Sequence, residues 1–139
     1  MVELAANKSN VIAIPFYIAN AAASQSAVVL SMPGEATATD MGQMPIPWAG
    51  SIVGLSVAVE AARTAGTLTL NPTINGTATA QSVVIDDDPT TYNTAQYARG
   101  AYPITAGQRV GMKMTTDADW AAGTTPSVVG WVFVHIEEM

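Results

Sequence analysis

A chain of 139 residues suits one compact domain, because halves of that length would be too small to bury a core of their own. Charged residues make up 12% of it, against about 25% in an ordinary soluble domain. The formal net charge is −6, and Lys8, Arg63, Arg99, Arg109 and Lys113 are too scattered to form a stripe that neutralises a phosphate backbone, so direct nucleic-acid binding is not expected.

Other classes fall away on similar grounds. With no cysteine there is no disulfide and no thiol chemistry. The opening residues lack a basic region followed by an apolar run, so no secretory signal is expected, and no apolar stretch approaches the roughly 20 residues of a helical membrane span. The expectation is a protein made in the cytoplasm that stays soluble or joins an assembly there. A surface this poor in charge is unusual for a free monomer, which implies that part of it is covered by partners or by copies of the same chain.

Residues 1–9 read as an N-terminal arm and 10–139 as the domain. Val11 to Ile18 is the first predicted strand, with Ile12, Ile14, Phe16 and Ile18 on one face by the two-residue period. Pro15 removes a ladder donor, which places this strand at a sheet edge or breaks it there. Ala27 to Met32 is a short second strand ended by Pro33-Gly34, and Glu35 to Pro47 reads as irregular. From Ser51 to Glu60, Val53, Leu55, Val57 and Val59 form an apolar face opposite small and polar residues. An Arg63–Gly66 turn leads to Leu68, Leu70 and Ile74, Asn75-Gly76 marks a hairpin, and Gln81 to Ile85 is the expected return strand. Residues 90–100 are polar, with two tyrosines. Ala106-Gly107 is a turn before a strand with Val110, Met112 and Met114 on one face, and a loop from Asp117 to Pro126 leads to the last strand, Ser127 to Ile136. The whole reads as all-β: a single-domain antiparallel β-sandwich of jelly-roll type, with about eight strands.

The last strand differs from the others. Trp131, Phe133 and His135 share one face, and Val128, Val132, Val134 and Ile136 take the other. A strand apolar on both faces asks for cover on both. The Trp131, Phe133 and His135 face is therefore the candidate subunit interface, or else the inside of the sandwich.

No catalytic constellation, cofactor motif or metal-ligand set emerges. His135 is the only histidine and has no second histidine or cysteine to complete a triad or a metal cage, so it reads as an interface or core imidazole. Asp86, Asp87 and Asp88 lack the spacing that converges carboxylates on one cation, and with Pro89 they read as a solvated turn; Asp117 and Asp119 are the nearest other carboxylates to that idea. Of Trp48, Trp120 and Trp131, only Trp120, in a loop beside Asp119, merits consideration as a sugar-stacking contact, and burial is the commoner fate of tryptophan.

Several phrases together are familiar: Ala49-Gly-Ser-Ile-Val-Gly-Leu-Ser-Val-Ala-Val-Glu, then Ala65-Gly-Thr-Leu-Thr-Leu and Ile74-Asn-Gly-Thr-Ala, then Ala106-Gly-Gln-Arg-Val-Gly-Met-Lys-Met-Thr-Thr-Asp and a closing Val-Val-Gly-Trp-Val-Phe-Val. Over residues 48–136 this resembles the small jelly-roll cement or decoration proteins of tailed-bacteriophage heads and related modules of fibres and tails. The resemblance implies a homotrimer on the outer surface of the virion, bound to the major capsid protein, made in the host bacterial cytoplasm and carrying no cofactor. Val2 and Leu4 of the arm are then expected to reach the shell or a neighbouring trimer. The rival expectation is a receptor-binding or fibre-head module that presents Tyr92, Tyr97, Tyr102 and Trp120 to a host surface glycan.

Overall fold

The computed structural model describes residues 10–32, 42–86, 91–124 and 126–137. Among them there is no helix and there are eleven strands: β1 (Val11–Ile18), β2 (Val28–Val29), β3 (Met44–Pro45), β4 (Gly50–Val59), β5 (Leu68–Ile74), β6 (Thr77–Ala78), β7 (Val83–Ile85), β8 (Tyr92–Gln96), β9 (Pro103–Ile104), β10 (Arg109–Thr116) and β11 (Val128–Ile136). The first sheet runs β1-β11-β4-β8, with β9 also on β4; the second runs β2-β10-β5-β6, with β3 on β10 and β7 on β5. Every pairing is antiparallel. β2 and β3 share one edge of β10, β6 and β7 share one edge of β5, and β8 and β9 share one edge of β4. Eleven strands thus occupy eight positions, four to a sheet, in the order of a jelly roll.

Prolines explain two features of this pattern. Tyr17 N–H donates to Ser31 at 2.8 Å, away from β11, so alternate β1 residues, Pro15 included, direct their amide positions to the free edge. Pro15 therefore sits in an edge strand, as expected, without breaking the ladder to β11. Pro72 in β5 accepts the Thr79 amide through its carbonyl at 2.9 Å. Its missing donor lies on that same side, and there the return is split into β6 and β7; the expected strand Gln81 to Ile85 shortens to β7, and β6 precedes it. The Asn75-Gly76 hairpin forms with φ of 53° and 83°, the left-handed pair of a two-residue type I′ turn.

The core lies between the sheets. β1 contributes Ile14 and Phe16, β11 contributes Val128, Val132, Val134 and Ile136, and Leu68, Leu70, Val110, Met112 and Met114 face them from β5 and β10. The predicted face of β4 is corrected by one residue. The register against β11 slips between Phe133 and Val134, which pair with Gly54 and Ile52 and leave Val53 unpaired as a bulge. Ile52 is buried in its place, beside Leu55, Val57 and Val59, and Val53 is half-buried.

Other boundaries also move. The second strand shrinks to Val28–Val29, because Ala27 adopts a φ of 49°, outside the strand region. A short strand, Met44–Pro45, lies within the stretch read as irregular. The polar run after residue 90 holds the edge strand β8. The turn proposed at Pro33-Gly34, the arm residues Val2 and Leu4, and Asp87, Asp88 and Pro89 lie outside the described residues.

Both open sides of the sandwich are stitched. On one, Tyr17 and Ser31 exchange backbone hydrogen bonds of 2.8 and 2.9 Å. On the other, side chains do the work of a ladder: Asn93 Nδ2 donates to the Val84 carbonyl at 2.8 Å, and Tyr97 Oη bonds to both backbone groups of Ser82.

Candidate interaction surface

The side of the first sheet that faces away from the core is built in cross-strand rows. Ala13, Phe133, Gly54 and Gln96 stand in one row, Pro15, Trp131, Ser56 and Thr94 in the next, and Tyr17, Val129, Ala58 and Tyr92 in the third. Val11, His135 and Ser51 continue it at one end. None of these residues is Asp, Glu, Lys or Arg in a chain of net charge −6. Val11, Tyr17, Tyr92 and Trp131 are exposed, Tyr92 at 67% and Trp131 at 37%. A contiguous sheet face without Asp, Glu, Lys or Arg that bears large exposed apolar side chains is the candidate interaction surface of the described residues.

Gly54 shapes the middle of this face. A Cβ there would stand 3.4 Å from Phe133 Cδ2 and 3.6 Å from the Ala95 carbonyl, so the Phe133 ring leans over the glycine and covers strand backbone that would otherwise be bare. Beside it lies an open depression of about 410 Å³, lined by Val53, Gly54, Ser56, Thr94, Gln96, Tyr97 and Phe133 among others.

The residues singled out from the sequence distribute unevenly over this surface. Trp131, Phe133 and His135 all stand on the outer side of β11, not inside the sandwich. Trp131 is exposed, Phe133 is half-buried, and His135 is only 6% exposed, with a buried Nδ1 that has no hydrogen-bond partner among the described residues. Trp120 is not a surface ring: it is 4% exposed and donates its Nε1 hydrogen to the Ala21 carbonyl at 2.9 Å, which makes it a core residue with its polar group satisfied. Tyr97 and Tyr102 pack edge to face, with centroids 5.7 Å apart, and only Tyr92 of the three tyrosines is well exposed. Tyr92, Tyr97, Tyr102 and Trp120 therefore do not form one stacking platform. Trp48 is 42% exposed in the loop before β4.

Asp117 organises a loop. Its carboxylate accepts the Thr67 amide at 3.0 Å, the Thr67 hydroxyl at 2.9 Å and the Asp119 amide at 3.1 Å. These bonds, the Thr67 amide first, hold its carboxyl below the ordinary 3.8. Among the described residues, no three His, Cys, Asp or Glu side chains converge as a metal site. Sequence reasoning missed Val11, Tyr17, Val129 and the Gly54 depression as parts of the face. The available signals were a glycine in the middle of a strong strand and the unbroken absence of charge from the odd-numbered positions of β1.

No protein-family model matches the chain, and no curated protein matches its sequence. Among solved structures it is similar to a chain of the cyanophage Pam1 capsid asymmetric unit, with a TM-score of 0.57 and 15% identity over 92% of this chain and 86% of that one. It is more loosely similar to a chain of the Triatoma virus empty capsid, with a TM-score of 0.45 and 12% identity over 94% of this chain and 88% of that one. At such identity the likeness to the cyanophage chain is one of fold: an all-β jelly roll that is also found in a viral shell.

Proposed function

We propose that the chain is a structural virion protein: a homotrimeric cement or decoration protein that binds the outer surface of a bacteriophage capsid and stabilises the lattice of the major capsid protein. The uncharged outer face of the first sheet carries this reading. A jelly roll of eight strand positions buries its core without needing that face, so the apolar residues kept there serve contact with other chains. The Trp131, Phe133 and His135 side of β11 faces neighbouring subunits, and the arm, residues 1–9 with Val2 and Leu4, reaches the shell from the jelly-roll domain of residues 10–139. The fold shared with a chain of the cyanophage Pam1 capsid supports the same reading.

The mechanism is mass action. A protein that binds only the assembled, expanded shell stabilises that state by its own binding free energy, about 2.7 kcal/mol per site at a free concentration 100 times Kd, summed over many sites. Such a role uses no catalytic group or cofactor. The reading is tested by incubating the purified chain with shells that lack it, sedimenting the mixture, and heating the pelleted shells. Saturable co-sedimentation with a raised disruption temperature is expected; protein left in the supernatant at every concentration contradicts it.

A further inference from the structure

We infer that the depression beside Gly54 is a binding site for a neutral pyranose sugar. It lies on the β4–β8 side of Phe133, and neither Trp131 nor His135 is among its walls. The inference therefore goes beyond the decoration role and does not depend on it.

Three properties of the depression select that chemistry. The first is charge. Its walls hold no Asp, Glu, Lys or Arg, so an ionised ligand would leave water there without gaining a partner. The second is unused hydrogen-bonding capacity. Ser56, Thr94 and Gln96 line the depression from two adjacent outward rows, on two strands. None of their side chains bonds to another of the described residues, whereas nearby Asn93 and Tyr97 are committed to Val84 and Ser82. A wholly apolar ligand would strip water from two hydroxyls and an amide and leave them unsatisfied. A ligand ringed by hydroxyls replaces that water bond for bond.

The third property is an apolar wall beside that polar rim. Phe133 and Val53 supply it, and the hollow exists because Gly54 has no side chain: a Cβ there would already stand 3.4 Å from Phe133 Cδ2. A pyranose turns C–H bonds to one face of its ring and projects hydroxyls around the edge. The C–H face suits an aromatic wall, whose π surface is negative, and the hydroxyls reach Ser56, Thr94 and Gln96. At about 410 Å³ the hollow is near the small end of the ~300–1,000 Å³ range of ligand pockets and takes one ring.

Nuclear magnetic resonance of the full chain tests the site, by titration with methyl glucoside, methyl galactoside, methyl mannoside and N-acetylglucosamine. At least one of them is expected to bind with a Kd on the order of 1–10 mM, with the largest amide shifts at Gly54, Ser56, Thr94 and Gln96. Gly54→Leu fills the hollow, and a Cβ there meets its nearest atoms at 3.4 Å or more. Thr94→Ala combined with Gln96→Ala alters only exposed side chains, so it carries the test if Gly54→Leu does not fold. Each folded variant, with unchanged circular dichroism, is expected to raise Kd about tenfold.

No shift with any of the four sugars at ~100 mM, well above so weak a Kd, would overturn the site. Shifts centred elsewhere, or binding intact in either folded variant, would overturn it too. N-acetylneuraminic acid or phenol binding as tightly as the neutral sugars would overturn the class of ligand. Sugar binding by a chain that ignores shells would overturn only the decoration role, and shell binding by a chain that takes no sugar would overturn only this site.

Discussion

The phenol of Tyr97 bonds twice to Ser82 across the open side of the sandwich: it accepts the Ser82 amide hydrogen at 2.9 Å and donates to the Ser82 carbonyl at 2.8 Å. Those two backbone groups face the edge of the other sheet, where no strand completes a ladder. This hydroxyl helps to close the jelly roll on this side, together with Asn93 on the Val84 carbonyl and Gln81 Nε2, which donates to the Ile52 carbonyl at 3.2 Å. Tyr97→Phe keeps the ring and its edge-to-face contact with Tyr102 but strands both Ser82 groups. The expected loss is about 1–3 kcal/mol, read as a lower urea midpoint with an unchanged slope; a midpoint equal to that of the unmodified chain would contradict this account of the closure.

Trp120 makes a parallel case at the other end of the molecule. Trp120→Phe removes the hydrogen bond to Ala21 and leaves a buried carbonyl unsatisfied, at a cost of about 1–3 kcal/mol. Trp120→Ala also opens a cavity and is expected to cost about 3–5 kcal/mol. Thermal unfolding of both variants checks the order. A Trp120→Ala variant as stable as the unmodified chain would return the residue to the list of surface contacts.

Gly130 sets how closely the two sheets approach. A Cβ there would stand 2.3 Å from Met112 Sδ and 2.7 Å from Leu70 Cδ1. Gly130→Ala is therefore expected to destabilise the fold by about 1–3 kcal/mol through overpacking, although alanine suits a strand better than glycine does. Chemical denaturation measures it.

Asp117 gives the fold a pH dependence of defined sign. Its carboxyl is held below 3.8 by the Thr67 amide and the other bonds to the folded loop. The folded chain therefore binds fewer protons at this group than the unfolded chain does, and stability rises with pH through that range. Its contribution is complete above 3.8 and is lost as pH falls through the lower folded value. Asp117→Asn is expected to flatten the acid limb of a stability-against-pH curve. An acid limb identical to that of the unmodified chain would show that Asp117 does not carry the dependence.

These sites also show where the sequence was legible. Period-two patterns identified β1, β10 and β11 because each buries one clean face, and Pro15 pointed to an edge or a break because it removes a ladder donor. The outward side of β11 was visible as Trp131, Phe133 and His135, since a second apolar face on a strand needs a reason. The phase of β4 was not legible: a single bulged residue, Val53, exchanges places with Ile52, and both are β-branched and apolar. β8 was hidden because an edge strand with exposed alternate residues needs no apolar pattern. The Gly54 depression needs Phe133 and Thr94 from two other strands, and only the register brings them together.

Electron microscopy is the most direct test of the proposal that this chain decorates a capsid. The purified protein would be mixed with mature, undecorated capsids of the phage that encodes it and imaged with symmetry averaging. Three-lobed density at regular positions on the outer surface, with Trp131 turned toward neighbouring subunits, is the expected result. Bare shells beside free protein at saturating concentration would contradict it.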